Sequence, residues 1–597
     1  MTLQVDEISL RPLKKDIARY SWATFRHDMW AGLTVALLSI PQALAYSLVL
    51  GLPPYCGIMA TIFGTAICAL AGSSRHLVIG PNNTTVLLVQ AATATILQRF
   101  YHHIQDPLRD EVAMQVMSAL LLLIGIIQIG FALFKMGRVI QFVSFPVVLG
   151  YILGSSVAII AGQLYTFLGI ELPEEDVPSL FEKLRYLLSH LTSLQPATAL
   201  IGALSLSVLL TLKKLKLKAP SSLLMLLIIT PLVYILHLNT IPDAHGHVLS
   251  VIGDAGKIEV PIPHFQLPLF ELRLLNVIVP TAFAIALVSM LETTAIAKSI
   301  AVSSGQRLST NQEFFGLGCA NFVLSFMGSL PASGSLSRTT LNYESGAKTR
   351  FAAIYSAIFV AAGVLFFGDL IQFIPLSALA ALIVATAMRA VDKKHFLLCL
   401  RATHSDAVVL AITFLSCIFF QLHIAFYLGV AISIILHLRK AAVPEVVEYS
   451  YNSETTELLP VTAAEKPIKR SVRLINVEGE LFFGSVDLFQ STLKAIAEDD
   501  EATRVFILRL KHVRDFDASA ATALRHLNDF LRKQNRYLIV AAIPQPVWIV
   551  LENARLIQHI GKENLFLLDE RDPNKSVELA FDRAAFLTQS AERRAQN

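Results

Sequence analysis

Read for hydrophobic and polar positions alone, the chain is a series of long apolar runs separated by short polar turns, a pattern that holds to about residue 440. Helices of that length and character match the thickness of a lipid bilayer. The runs predict helices near residues 31–50, 56–71, 81–99, 116–134, 142–162, 197–212 and 221–238. After a long polar loop at 239–273 the pattern resumes near 274–297, 314–326, 335–345, 352–367, 375–388, 407–420 and 424–436. Ahead of the first run, residues from about Arg11 to Trp30 alternate charged with aromatic and apolar positions, which predicts an interfacial amphipathic helix. An acidic outer loop, ELPEEDVP, and a surface helix separate the fifth and sixth runs, and the basic KKLKLK separates the sixth from the seventh. Past Pro444 the character changes. Short strand patterns at 472–477, 505–510 and 537–542 alternate with helical ones at 485–497, 519–534 and 547–561, which predicts a small α/β domain. The expected division is a cytoplasmic N-terminal segment at 1–30, a transmembrane domain at 31–440, a linker at 441–470 and the α/β domain with a tail at 471–597.

Two stretches break the apolar pattern with small and polar residues: GSSRHLVIGPNNTTV at 72–86 and GSLPASGSLSRTTLNYESGAKTR at 328–350. At membrane depth, irregular backbone is tolerated only where protein or a water-filled cavity surrounds it. Two interrupted segments in corresponding positions of two halves point to a midplane site in a transporter built from inverted repeats. Helices starting at Asn82 and at Ser335 would aim unpaired amides, those of Asn82 to Thr85 among them, and two positive dipole ends at one point. An anion suits such a point. Pro41-Gln42 interrupts the first run, where a proline should kink or unwind the helix, and Gln42 and Tyr46 lie one turn apart on one face. The candidate anion-binding residues are therefore Gln42, Tyr46, Asn82, Asn83, Thr84, Thr85, Gly334, Ser335, Leu336, Ser337 and Arg338. Among them Gln42, Tyr46, Thr85, Ser335 and Ser337 offer hydrogen-bond donors, Ser335 in the capping position, and Arg338 a fixed charge. Helix capping and close helix packing are the alternative use of the Ser and Thr residues.

Glu292, in VSMLETTAIAKS, is an acid inside an apolar run. Ionisable groups there are costly and by default functional. A proton on Glu292 could accompany the anion; sodium held by Glu292 with Thr293 or backbone carbonyls is a second option, and a structural pair with Arg338 or Lys298 a third.

Composition agrees with a membrane protein: 54% of the 597 residues are hydrophobic and 16% charged, with a mean hydropathy of +0.58. The net charge of +4 is small and dispersed, so no nucleic-acid partner is expected. The five cysteines, Cys56, Cys68, Cys319, Cys399 and Cys417, lack metal-ligand spacing and read as small buried hydrophobes. His76, His102, His237 and His264 match no ligand or triad spacing, so neither an enzyme nor a bound metal or cofactor is expected. With the N-terminus inside, about seventeen Lys and Arg fall on cytoplasmic turns against about six outside, which supports an even number of spans with both termini cytoplasmic.

Five stretches in order, SIPQALAYSLVLGLPPYCG, SSRHLVIGPNNTT, LETTAIAKSIA, LPASGSLSRTTLNYESGAKTR and DASAATALRHL, resemble the sulfate permease (SulP) family of anion transporters, whose soluble domain is called STAS. The resemblance covers nearly the whole chain. It implies a polytopic α-helical membrane protein, a seven-plus-seven inverted repeat of fourteen helices with core and gate domains, ahead of a STAS domain, and a homodimer in a bacterial inner membrane or a plasma membrane. It also implies secondary active transport of a small anion, sulfate first, with bicarbonate or a dicarboxylate as others, coupled to a proton or sodium. A gated anion channel or a voltage-responsive motor is the alternative. Asn82-Asn83 stand where many relatives have small or apolar residues. Asp517-Ala518-Ser519 resembles the phosphorylatable Asp-x-Ser of anti-sigma-factor antagonists, which makes Ser519 a candidate regulatory site and a partner of the STAS domain an expectation; capping of the following helix by Asp517 or Ser519 is the plainer reading.

Overall fold

The computed structural model describes residues 8–9, 12–18, 20–101, 108–137, 143–170, 180–215, 220–240, 248–255, 265–269, 271–390, 393–452, 457–460, 471–499, 502–569, 571–572 and 574–596. The acidic loop at 171–178, part of the basic KKLKLK and residues 453–456 and 461–470 of the expected linker lie outside the described residues. Two compact units result, Met1–Ser433 and Ile434–Asn597.

In the first unit the apolar runs form helices α1 (Trp22–Val49), α2 (Tyr55–Ala71, with a π turn at Ala60–Gly64), α3 (Asn83–Phe100), α4 (Leu108–Leu133), α5 (Phe145–Leu168), α6 (Pro196–Lys214) and α7 (Ser221–Ile235). The second half follows with α8 (Leu275–Ser304), α9 (Thr310–Leu324), α10 (Leu336–Glu344), α11 (Phe351–Ile371), α12 (Leu376–Ala390), α13 (His404–Phe419) and α14 (Leu422–Ala441), the last continuing into the second unit. Among the described residues, 7 helices are long and apolar enough to cross a membrane on length and composition alone. At the starts of α1, α9 and α13 a side chain satisfies a first-turn amide. Ser21 accepts from Thr24 N, Ser309 from Gln312 N and Thr403 from Asp406 N.

The packing repeats itself between the halves. α1 packs on α10 and α11, and α8 packs on α3 and α4; α2 packs on α11, and α9 on α4; α5 packs on α13, and α12 on α6. Each contact is thus matched by its counterpart seven helices away, the signature of an inverted repeat in which α1 corresponds to α8 and α3 to α10.

Several expectations are corrected. Helix α1 runs unbroken through Pro41, which costs the ladder one hydrogen bond but does not unwind the helix. Its neighbours α10, α11 and α12 pack along it and hold both halves. The expected interfacial helix is divided: only Lys14–Ala18 stands apart, and Trp22 onward belongs to α1. A short amphipathic helix at Lys393–Ala402, unforeseen, joins α12 to α13. The long loop after α7 returns to the bundle, with Ile252 N donating to Ile374 O at 2.9 Å and Gly253 N to Gln372 O at 2.9 Å.

Counting two short strands of the first unit, βa (Ile79–Gly80) and βb (Ser333–Gly334), as the first two, the second unit holds β3 (Glu445–Asn452), β4 (Glu457–Pro460), β5 (Val472–Glu480), β6 (Val505–Arg514), β7 (Tyr537–Ile543) and β8 (Leu565–Leu567), which form a six-stranded sheet in the order β4-β3-β5-β6-β7-β8. Strands β5 to β8 are parallel and β3 joins them antiparallel. The expected linker therefore supplies a hairpin to the sheet, where Glu448 takes two hydrogen bonds from Arg473, at 2.9 and 2.7 Å. Alternation along the strands divides the core. Ile475, Phe506, Leu508 and Leu538 face α15 (Val486–Asp499) and α16 (Ala518–Lys533), whereas Leu474, Ile507 and Ile539 face the closing helix α17 (Lys575–Gln596), which sequence patterning missed.

Candidate anion site

The two interrupted stretches meet. Each forms a two-residue strand, here βa (Ile79–Gly80) and βb (Ser333–Gly334), paired antiparallel with Ile79 opposite Gly334 and Gly80 opposite Ser333. Directly after them the chain turns into α3 and α10, so the N-termini of two helices from opposite halves lie against one short ladder. Ser335 N donates to Val78 O at 3.1 Å, and the Thr339 hydroxyl accepts from Val78 N at 3.1 Å. The glycines permit this closeness. A Cβ on Gly334 would lie 2.8 Å from the Thr293 Cα, and one on Gly80 would strike Nη1 of Arg338.

Arg338, in the first turn of α10, is 0% exposed. Its Nε donates to Gln42 Oε1 at 3.1 Å, while Nη1 and Nη2 have no hydrogen-bond partner. Buried cations are ordinarily paired. Here two helix N-termini and an unpaired guanidinium fork share one buried region, an arrangement that would accept an oxyanion through charge-assisted hydrogen bonds. Gln42 and Tyr46 of α1 are also buried. Thr84 and Thr85 are buried, Asn83 is half-buried with its Oδ1 unpartnered, and Leu336 and Ser337 are exposed on the first turn of α10.

Ser335, Thr85 and Asn82 differ from the sequence reading, and of the three alternatives for Glu292 the ion pair is not formed among the described residues. Ser335 occupies the N-cap position of α10 but makes no side-chain cap; its hydroxyl lies 3.4 Å from that of Ser337. The hydroxyl is therefore turned toward the Ser337 side chain rather than onto the Ser337 or Arg338 amide that a capping oxygen would take. The Thr85 amide is not free, because Asn82 Oδ1 accepts from it at 3.0 Å. Asn82 itself is occupied by protein partners, and Glu292 forms no ion pair with Arg338 or Lys298 among the described residues. The Glu292 carboxylate, 8% exposed, instead accepts from Asn82 Nδ2 at 2.9 Å and from Ser333 Oγ at 3.5 Å.

Residues that patterning did not single out hold this arrangement. Asn321 of α9 accepts from Ala332 N at 2.9 Å and donates to Ala332 O at 3.0 Å, fixing the chain just before βb. It also donates to Gln128 of α4 at 3.0 Å, and Gln128 donates to Ser289 of α8 at 2.7 Å. A lone amide in the apolar run LLLLIGIIQIGFALF was the available signal for Gln128. At one end of the bundle a second buried cluster clamps the loops that enter βa and α11. Asp28 accepts from Lys348 N at 2.7 Å and Thr349 N at 3.1 Å; Glu313 accepts from Ser73 N at 2.7 Å and Ser74 N at 2.5 Å; Arg350 pairs with Asp16 at 3.0 Å.

In the second unit, Asp517 caps α16, its Oδ1 accepting from Ala520 N at 2.9 Å and its Oδ2 from Phe483 N at 2.9 Å. Ser519 lies inside the helix and is not the cap.

Comparison with known proteins accounts for both units. Residues 25–413 match the sulfate permease family and residues 463–568 the STAS domain. The putative sulfate transporter YvdB of Bacillus subtilis (strain 168) is 26% identical over 551 residues, spanning 92% of this chain and 97% of that one. Chloroplastic sulfate transporter 4.1 of Arabidopsis thaliana is 27% identical, spanning 94% and 81%. Murine Slc26a9, an anion transporter solved in the inward-facing state, superposes with a TM-score of 0.85 at 19% identity, covering 96% of this chain and 94% of that one. The transmembrane domain of the cyanobacterial bicarbonate transporter BicA gives 0.58 at 19% identity, over 70% and 98%. The chain belongs to the sulfate permease family of transporters, as an integral multi-pass membrane protein with a C-terminal STAS domain.

Proposed function

We propose that this protein is a secondary active transporter of a small oxyanion, sulfate first and bicarbonate or a small dicarboxylate next, with the anion held between the first turns of α3 and α10. The observation that carries this reading is the buried Arg338 fork, unpartnered at Nη1 and Nη2, beside two helix N-termini. The names of YvdB and of chloroplastic transporter 4.1 support sulfate, and that of BicA supports bicarbonate.

Glu292 is the coupling group in this reading. A carboxylate beside the anion repels it, and at a separation of about 5 Å with an effective dielectric near 20 the repulsion is roughly 3 kcal/mol. A proton or sodium ion on Glu292 removes that penalty, so anion and cation each tighten the other's binding. Both termini lie in the cytoplasm, the membrane is a bacterial inner or plasma membrane, and the protein works as a homodimer whose STAS domain takes a regulatory partner, with Ser519 as its modification site.

Uptake of radiolabelled sulfate into proteoliposomes tests the proposal. Saturable uptake, competed by bicarbonate or dicarboxylate and accelerated by an inward proton or sodium gradient, is expected, and Glu292→Gln should keep anion binding while losing the acceleration. Unitary anion currents without gradient-driven accumulation would identify a channel instead.

A further inference from the structure

Among the described residues, Asn82 is the one side chain that touches the coupling carboxylate and both helix ends. An asparagine amide has two donor hydrogens and two acceptor lone pairs. Oδ1 accepts from Thr85 N at 3.0 Å and from Thr85 Oγ1 at 2.8 Å, both in the first turn of α3. Nδ2 donates to Glu292 Oε2 on α8 at 2.9 Å and to Gly334 O in βb at 3.1 Å. The partners fix the orientation of the amide. Reversed, its NH2 would face an N–H donor and its oxygen would face a carboxylate and a carbonyl. With all four capacities engaged, Asn82 has nothing left to offer a substrate directly.

From this geometry we infer that Asn82 is a positioning residue that transmits the charge state of Glu292 to the starts of α3 and α10 together. The inference rests on the reading of Glu292 as the coupling group. An ionised carboxylate holds the Nδ2 hydrogen in a charge-assisted bond. Once Glu292 carries a proton or a sodium ion, that oxygen is a weaker acceptor, and the amide rests on Thr85 and Gly334 alone. The bond that changes therefore shares one amide group with the cap of α3 and with the carbonyl just before α10. An anion drawing on the same helix ends alters the hold on Glu292 in return.

Other groups facing Glu292 are few. Tyr46 of α1 and Tyr151 of α5 lie within electrostatic reach of it. Arg338 of α10 stands next to Tyr46. Lys298, on α8 itself, is exposed. α3 contributes the hydroxyl of Thr84 and the Asn82 amide, and α4 the neutral Gln128, which bonds to Ser289 rather than to the acid.

Two substitutions in the full-length, reconstituted protein test the link. Asn82→Asp keeps the size and the Thr85 cap but sets a second carboxyl against Glu292, and like charges that close do not both ionise. A pair that shares one proton still carries one negative charge beside the anion, so half-maximal sulfate uptake should then require a proton or sodium concentration at least tenfold higher than in the wild type. Asn82→Ser keeps a good cap but is too short to reach Glu292. Saturable radiolabelled sulfate uptake should survive, while its acceleration by the cation gradient falls at least fivefold. If both variants, monodisperse after purification, reproduce the wild-type cation dependence while Glu292→Gln abolishes it, the role of Asn82 is overturned and the Glu292 reading stands. If Glu292→Gln also behaves as the wild type, both fall together.

Discussion

Arg338 and Gln42, from opposite halves of the chain and 296 residues apart, meet through a 3.1 Å hydrogen bond from Nε to Oε1 that turns the rest of the guanidinium away from Gln42. The amide takes one donor and leaves the terminal fork free. Hydrogen bonds to charged groups contribute about 1.5–3 kcal/mol each, so Arg338→Ala should weaken sulfate binding by roughly ten- to a hundredfold. Arg338→Lys should recover only part of this, since an ammonium presents no planar fork. Equilibrium binding to monodisperse protein checks it, and an affinity unchanged in Arg338→Ala would remove Arg338 from the site.

Asn321→Leu leaves the Ala332 N–H and C=O without the partners they now have at 2.9 and 3.0 Å, in a place where water does not reach. Orphaned buried polar groups cost about 1–3 kcal/mol each. The thermal unfolding temperature in detergent should drop by several degrees. Gln128→Leu, which removes no backbone partner, should lower it less. Equal melting of all three proteins would contradict the positioning role of Asn321.

The STAS helix α16 separates two readings of Asp517-Ala518-Ser519. Asp517→Ala removes the cap and the tie to Phe483 N, at a cost of about 1–2 kcal/mol. Ser519→Ala removes no cap and should leave unfolding unchanged. A transport defect in Ser519→Ala at wild-type stability, with phosphate found on Ser519 in native membranes, is the outcome expected of a regulatory site.

Glu478 of β5 accepts a hydrogen bond from Asn476 at 2.8 Å and faces His512 at 3.0 Å. The His512 contact, followed by the Asn476 bond, holds its carboxyl below the usual range. A carboxyl depressed in the folded state lends stability that is present above its ordinary value and is lost as pH falls through the depressed one. Glu478 is well exposed, so the effect is under about 1 kcal/mol. His512→Ala should flatten the acid limb of the unfolding temperature plotted against pH, and a limb that stays as steep would assign the effect to another group.

Much of the membrane unit is legible in sequence because a bilayer demands long apolar helices, and the fourteen runs all become helices in order. The paired interruptions are legible for the same reason, since Pro81, Gly334 and the surrounding Ser and Thr residues have no place in a lipid-facing helix. What escaped were relations between distant residues. Nothing local says that Asn82 would use its amide on Glu292 and Gly334 rather than on a substrate, or that Asn321 would grip Ala332. The same holds for the β3 hairpin: Glu445–Asn452 is polar enough to read as linker, and becomes a strand only because β5 offers it an open edge.

The βa–βb ladder has a consequence for how the protein comes into being. Gly334 lies 252 residues beyond Asn82, and at roughly 5–20 residues per second of synthesis the first arm waits some tens of seconds for its partner. During that interval α3 begins beside a two-residue strand with nothing to pair with, and the region that will become the pocket has neither its arginine nor its second helix end. On the proposed reading, the anion site is thus among the later parts of the membrane unit to assemble, and the first half of the chain, however well inserted, cannot hold an anion there until βb arrives.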